Sequence, residues 1–491
     1  MKKIIAILAV SMLAQFAHSA VWVDENQWDA SWENKYHEWL KVTANTKMFA
    51  NEKKANGEPN PYYGIRVDCA DLVYSFRIIF SFENKLPFAM NNPVGGSKSP
   101  AITNQVARYD KVSQGVPRLK TFLTWIYDLV STHGLPRDTY SVGFKDVGPG
   151  TMIVTTKKNH HSWTITNISK TGNPTLFFNS TNARTAGFDV QSRQSWPNPF
   201  WVFEPEVDEA DPTKNINIYL PGSYAGFRYW RPVEFLKTNE NEVPGYSEEQ
   251  HTVGLGKWKT MAQNSLAKVK ENIDQVVIRL LNDACSDFKQ RVDAVQEAEA
   301  YKSEMAADFA AGKSAAESSY VQDYMSDTEH PSDKRCLTAK TFDLLSTPSR
   351  DKRFIDALVL ARAYYSFGLS KFGAKAFSPT NTAIYKAFFP NIELSAGDEA
   401  TKDNGEAKSD FCSYKIQSVG TLNLARYKHR VFSGRFSSNP NDSANVRFGY
   451  PKTEKDLGEV CPAFDLVKKS YDLNQIEQEM MREVSTSPIA Q

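Results

Sequence analysis

The chain predicts an α+β N-terminal domain followed by a mainly α-helical, disulfide-containing C-terminal domain. Three observations carry this. Residues 21 to about 245 are rich in Trp, Pro, Gly and Asn, with helical spacing early and strand-like apolar runs later. Residues from about 250 onward turn to Ala, Lys, Glu and Gln, which favour helix. Four of the five cysteines lie in that second half. Pro244-Gly245 marks the change of texture, giving domains of 20–245 and 250–491.

The elements follow in order. Trp28 to Leu40 places Trp32, Tyr36 and Leu40 on one helical face. Residues 69–83 and 116–133 are a second and third helix. Strands are expected at Thr151–Thr155, Ser162–Ile168, Thr175–Asn179 and Phe227–Trp230. Beyond the boundary, apolar residues at three-and-four spacing predict helices over Trp258–Leu281 and about 288–309, which would pair as an antiparallel hairpin. Arg353–Phe377 is a further helix, 395–410 a polar loop, and 412–461 strands and turns.

Composition excludes several classes. Hydrophobic residues make up 41% of 491 and charged residues 23%, enough for a large core. Lys plus Arg is 58 against 57 for Asp plus Glu, which argues against a nucleic-acid partner. Mean hydropathy is −0.48 and no long apolar run follows residue 20, so stable membrane insertion is not expected. No Gly-rich phosphate or dinucleotide motif occurs, and neither Cys-x-x-Cys nor His-x-x-x-His is present; no cofactor or metal is expected. Residues 1–19 combine Lys2 and Lys3, an apolar stretch from Ile4 to Phe16 and Ala17-His18-Ser19, the pattern of a bacterial-type signal peptide. The expected location is periplasmic or secreted.

In an oxidising compartment cysteines pair, and five is odd. The simplest pairing is Cys285 with Cys336 and Cys412 with Cys461, although four cysteines allow three pairings. Each such bridge would close a loop of about 50 residues, worth roughly 3–4 kcal/mol in the chain-entropy model. Cys69 is left as the free thiol.

Cys69 stands where chemistry is plausible. After Pro61-Tyr62-Tyr63-Gly64 an extended piece ends at Asp68, and the helical pattern begins at Cys69. Asp68 suits the N-cap and Asp71 the first turn. A thiol at a helix start feels unpaired N–H groups and the positive dipole end, which favour the thiolate. Asp68 and Asp71 act the other way, so a base is needed. Pro149-Gly150 opens a strand 80 residues on, and His160-His161 opens the next, where an imidazole can meet the helix start. Two adjacent histidines point to opposite sheet faces, which leaves His160 and His161 as alternatives. The following strand ends at Asn179, able to orient the ring.

Over about residues 55–205 this arrangement resembles the NlpC/P60 branch of the papain-like cysteine hydrolases. The matching pieces are Pro61-Tyr62-Tyr63-Gly64, Asp68-Cys69, Leu86-Pro87, Pro149-Gly150-Thr151-Met152, the two histidines and Asn179. Ala70-Asp71 replaces the family's usual Ser-Gly/Ala, and Thr151 its usual Asp. The resemblance implies a papain-like fold, Cys69 as nucleophile, His161 as base with His160 as alternative, and Asn179 as orienter. It implies a substrate cleft near Tyr62, Tyr63, Asp68 and Trp163, and a peptide or peptidoglycan stem substrate. The expected function is therefore an exported cysteine hydrolase cleaving amide bonds. The alternatives are a non-catalytic cell-envelope scaffold on the same fold and a transglutaminase-like acyltransferase. The helical half, which the resemblance does not reach, is a candidate docking surface for a protein partner. Arg228 and Arg231 read as surface residues, or as ligands for a substrate carboxylate.

Overall fold

A computed structural model describes residues 20–96, 98–155, 161–179, 190–203, 206–207, 215–216, 224–327, 331–402, 409–452, 456–461 and 471–486. Residues 1–19, expected as a signal peptide, and His160 lie outside the described residues. Two compact units are present, the first running through Val269 and the second from Lys270.

The first unit is built on a six-stranded antiparallel sheet. Its strands are β1 (Thr139–Ser141), β2 (Met152–Thr155), β3 (His161–Ile168), β4 (Pro174–Phe178), β5 (Gln191–Arg193) and β6 (Gly226–Trp230), in spatial order β1-β6-β2-β3-β4-β5. Helices α1 (Ala30–Val42), α2 (Cys69–Glu83) and α3 (Val116–Tyr127) share one core with Met152, Val154 and Phe177. The other face buries Ile153, Trp163, Ile165, Leu176 and Phe178. Successive strand residues point to opposite sides, so one sheet serves two cores. Helix α4 (Leu255–Leu266) closes the second, with Trp258 stacked on Phe227 at 4.5 Å between ring centroids. The unit boundary therefore falls after α4, about 25 residues beyond the Pro244-Gly245 expected from texture.

Helix α2 is the central element, buried at every position from Ala70 to Ser81. Arg77 in its middle forms a two-bond fork with Glu33 of α1 (2.6 and 2.8 Å), while the Tyr229 hydroxyl of β6 donates to the same carboxylate at 2.8 Å. Trp28 covers the guanidinium at 3.3 Å. A buried charge is tolerable only when paired this fully. Arg228, read from sequence as a surface or substrate-facing residue, is instead completely buried: it pairs with Glu240 and donates to Thr139. Arg231 is occupied by the backbone carbonyls of Thr139 and Thr238.

The second unit centres on α5 (Ile273–Ala310) and α6 (Pro348–Phe372), joined by α7 (Ala396–Lys402), a hairpin of β7 (Ser413–Ile416) and β8 (Gly420–Asn423), α8 (Leu424–Phe432) and α9 (Leu473–Thr486). The expected helical hairpin is corrected here. The 258–281 stretch is broken where the N–H groups of Lys268 and Val269 bond to Lys170, and Asn272 starts a new helix with a capping box. From there a single 38-residue helix takes in the last residues of the first predicted segment and the whole of the second. Within 412–461, expected as strands and turns, Leu424–Phe432 is helical because Asn423 caps it by accepting the Arg426 N–H at 2.8 Å. A short helix, α7, likewise occupies part of the expected polar loop.

The disulfides are Cys285–Cys412 and Cys336–Cys461, not the sequential pairing, and Cys69 is free. Packing brought each cysteine next to a partner about 125 residues away, with Cα–Cα separations of 5.8 and 5.5 Å. Peptide mapping of the unreduced protein should yield a 285–412 and a 336–461 cross-link; recovery of a 285–336 peptide would contradict this topology. Replacing Cys336 and Cys461 by Ser should cost about 2–5 kcal/mol in denaturant unfolding.

Candidate functional site

The site begins at the N-terminus of α2. The Asp68 carboxylate accepts the Asp71 N–H at 2.9 Å, and the Asp71 carboxylate accepts the Asp68 N–H at 3.0 Å. This capping box fixes Cys69 as the first helical residue, as the sequence predicted. Its half-buried thiol lies 3.1 Å from the hydroxyl of Thr132. The Ser162 hydroxyl of β3 donates to the Cys69 carbonyl at 2.9 Å, so the helix start is bonded directly to the start of that strand.

Electrostatics hold the thiol protonated. Burial, reinforced by the Asp68 charge, pushes it up to about 11. Hydrogen bonds from Thr132 and from the backbone of Ala70 and Ser162 oppose the rise without cancelling it. Asp71 is affected more strongly in proportion: burial, then Asp68, lifts its carboxyl to about 8. Among the described residues its buried Oδ1 has no hydrogen-bond partner.

The pleat sorts the predicted partners. Thr155 pairs with His161, Val154 with Ser162 and Ile153 with Trp163. Ser162 therefore shares the face of Val154 and of α2. His161 takes the other side: its ring meets Trp163 at 4.7 Å and Phe178 at 5.6 Å, edge to face. The one-residue alternation of the strand sets the His161 ring on the side of Trp163 and Phe178, away from the face that Ser162 shares with α2. Trp163, expected at the substrate cleft, is 3% exposed in that same core. Asn179 follows Phe177 by two residues. Phe177 pairs with Thr164 and packs in the α2-side core, and Asn179, just past the end of β4, is buried.

Of the aromatic residues expected at a cleft, Tyr62 is buried and its hydroxyl donates to Glu83 at 2.7 Å, which makes it a clamp on the far end of α2. Tyr63 is exposed. Thr132 and Ser162 are the thiol's closest polar neighbours that sequence reasoning missed. Thr132 belongs to the stretch predicted as the end of helix 116–133, but α3 stops at Tyr127, and the following turn returns Thr132 to the thiol. No motif signals that contact. No cluster of three or more His, Cys, Asp or Glu suited to a metal ion occurs among the described residues. No helix among them is long and apolar enough to cross a membrane. No family model, curated protein or solved structure matches the chain.

Proposed function

We propose that the first unit is a papain-like thiol hydrolase, exported from the cell, that cleaves amide bonds in peptides such as peptidoglycan stems. The observation that carries the reading is the joint between α2 and β3: a free thiol at a capped helix start, the carbonyl of the same residue bonded to Ser162 of the strand that opens with His161. Cys69 is the nucleophile. The base is one of the two adjacent histidines, His160 or His161; the position of His161 on the sheet face opposite to Ser162 favours His160. Asn179 orients the ring. Because the resting thiol is protonated, the base removes its proton as it attacks the carbonyl and returns it to the leaving amine. The Asp68 side chain already holds the Asp71 N–H, which leaves the Cys69 N–H free of helical bonding to stabilise the oxyanion. Cys69→Ala should abolish hydrolysis of stem peptides while the fold persists. Full activity in that variant would end the proposal.

One observation favours a second reading, a binding protein on the same framework. A thiol pushed up to about 11 is a poor nucleophile by itself. Iodoacetamide discriminates: a hydrolase labels Cys69 in preference to a denatured-state thiol near neutral pH, and a scaffold labels it more slowly.

A further inference from the structure

We propose that the helical unit carries a binding site for a small organic oxyanion, a carboxylate or phosphate ester with an apolar body, with Arg435 as its anion-binding group. A cavity of about 370 Å³ opens beside α7 and the C-terminal end of α8, lined by Ala400, Thr401, His429, Phe432, Ser433 and Arg435 among others. That volume lies within the range of small-molecule sites, about 300–1,000 Å³.

Its charge is uncompensated. Among the described residues Arg435 forms no ion pair; its guanidinium donates to Ser433 Oγ at 3.0 Å and contacts His429 Nε2. The nearby carboxylates are already committed. Glu399 is fully buried between Arg362 at 2.7 Å and Lys428 at 2.6 Å, and Asp398 accepts the Ser395 hydroxyl at 2.7 Å.

The fork is also held in place. His429 is 4% exposed, and the Ser433 hydroxyl donates to the His429 carbonyl at 2.8 Å. Arg435 thus rests on two neutral acceptors that are themselves anchored, leaving its remaining N–H groups for a ligand. A planar guanidinium so oriented matches two oxygens of one anion. The hydroxyl of Thr401 can add a further contact, and Phe432 and Ala400 supply an apolar wall. An ion without an apolar part would leave that wall wet, which is why a small ester or aromatic acid fits better than a bare ion.

The test uses the full-length oxidised protein and calorimetric titration with benzoate and phenyl phosphate, with benzamide as the uncharged match in shape. Saturable one-to-one binding of at least one anion is expected, with benzamide at least about tenfold weaker. Whichever anion binds more tightly identifies carboxylate or phosphate as the natural head group. Arg435→Gln, a change at an exposed side chain, should weaken binding at least about tenfold at an unchanged melting temperature. Equal affinity in Arg435→Gln, equal affinity for benzamide, or no saturation by either anion up to about 10 mM would overturn the site.

Discussion

His160→Ala is expected to lower amide hydrolysis by about a hundred- to ten-thousand-fold, the usual contribution of a positioned general base. His161→Ala should instead leave the chemistry largely intact and lower stability. The difference comes from strand parity. His161 spends its ring on Trp163 and Phe178, in the core that α4 closes. Removing a buried ring there opens a cavity and loses two edge-to-face contacts, at a cost of about 1–3 kcal/mol. Ser162, the next residue, bonds to the Cys69 carbonyl from the opposite face. The measurements are kcat/KM on a stem peptide and the urea midpoint for each variant. A kcat/KM loss confined to His161→Ala would restore the other register and reject the sheet-face argument. Loss in neither variant would leave the thiol without its base and reject the hydrolase reading.

The second large effect concerns Asp71. Its carboxyl is lifted from the usual carboxylate range to about 8, first by burial and then by Asp68. Between the unfolded value near 4 and the folded value near 8, the native state binds the proton and the unfolded state does not. Stability must then fall as pH rises through that window, and it is fullest below pH 4 as far as this group is concerned. Full expression of such a shift would amount to several kcal/mol, and mutual coupling with Asp68 reduces what a single substitution recovers. Asp71→Asn keeps an oxygen able to accept the Asp68 N–H while removing the charge. The variant should gain about 1–3 kcal/mol near pH 8 and little near pH 4. Urea unfolding at both pH values checks this; equal change at both would show that Asp71 acts through packing and not through its charge.

Local patterns made much of the first unit legible. Asp68 and Asp71 three residues apart read as a helix start, and the structure contains that capping box. The strand runs at β2, β3, β4 and β6 came within one or two residues of their observed limits. These features are short-range: a cap, a two-residue alternation and a glycine turn are all decided by neighbours within a few positions. Cys69 was readable as an unpaired thiol because the remaining cysteines number four and lie together in the other half.

What tertiary structure alone decided involves distance along the chain. Which side of the sheet His161 takes depends on where β3 begins its alternation against β2, a matter of sheet register and not of the His160-His161 pair itself. The Thr132 contact depends on α3 ending at Tyr127. The cysteines could not reveal partners about 125 residues away, since connectivity follows from packing, for Cys285–Cys412 that of α5 against β7, rather than from spacing. Arg228 looked like a surface cation until Glu240 and the Thr139 carbonyl enclosed it. Periodicity tells a residue which element it joins; only the packed chain determines which opposing group is close enough to take a proton, a charge or a sulfur.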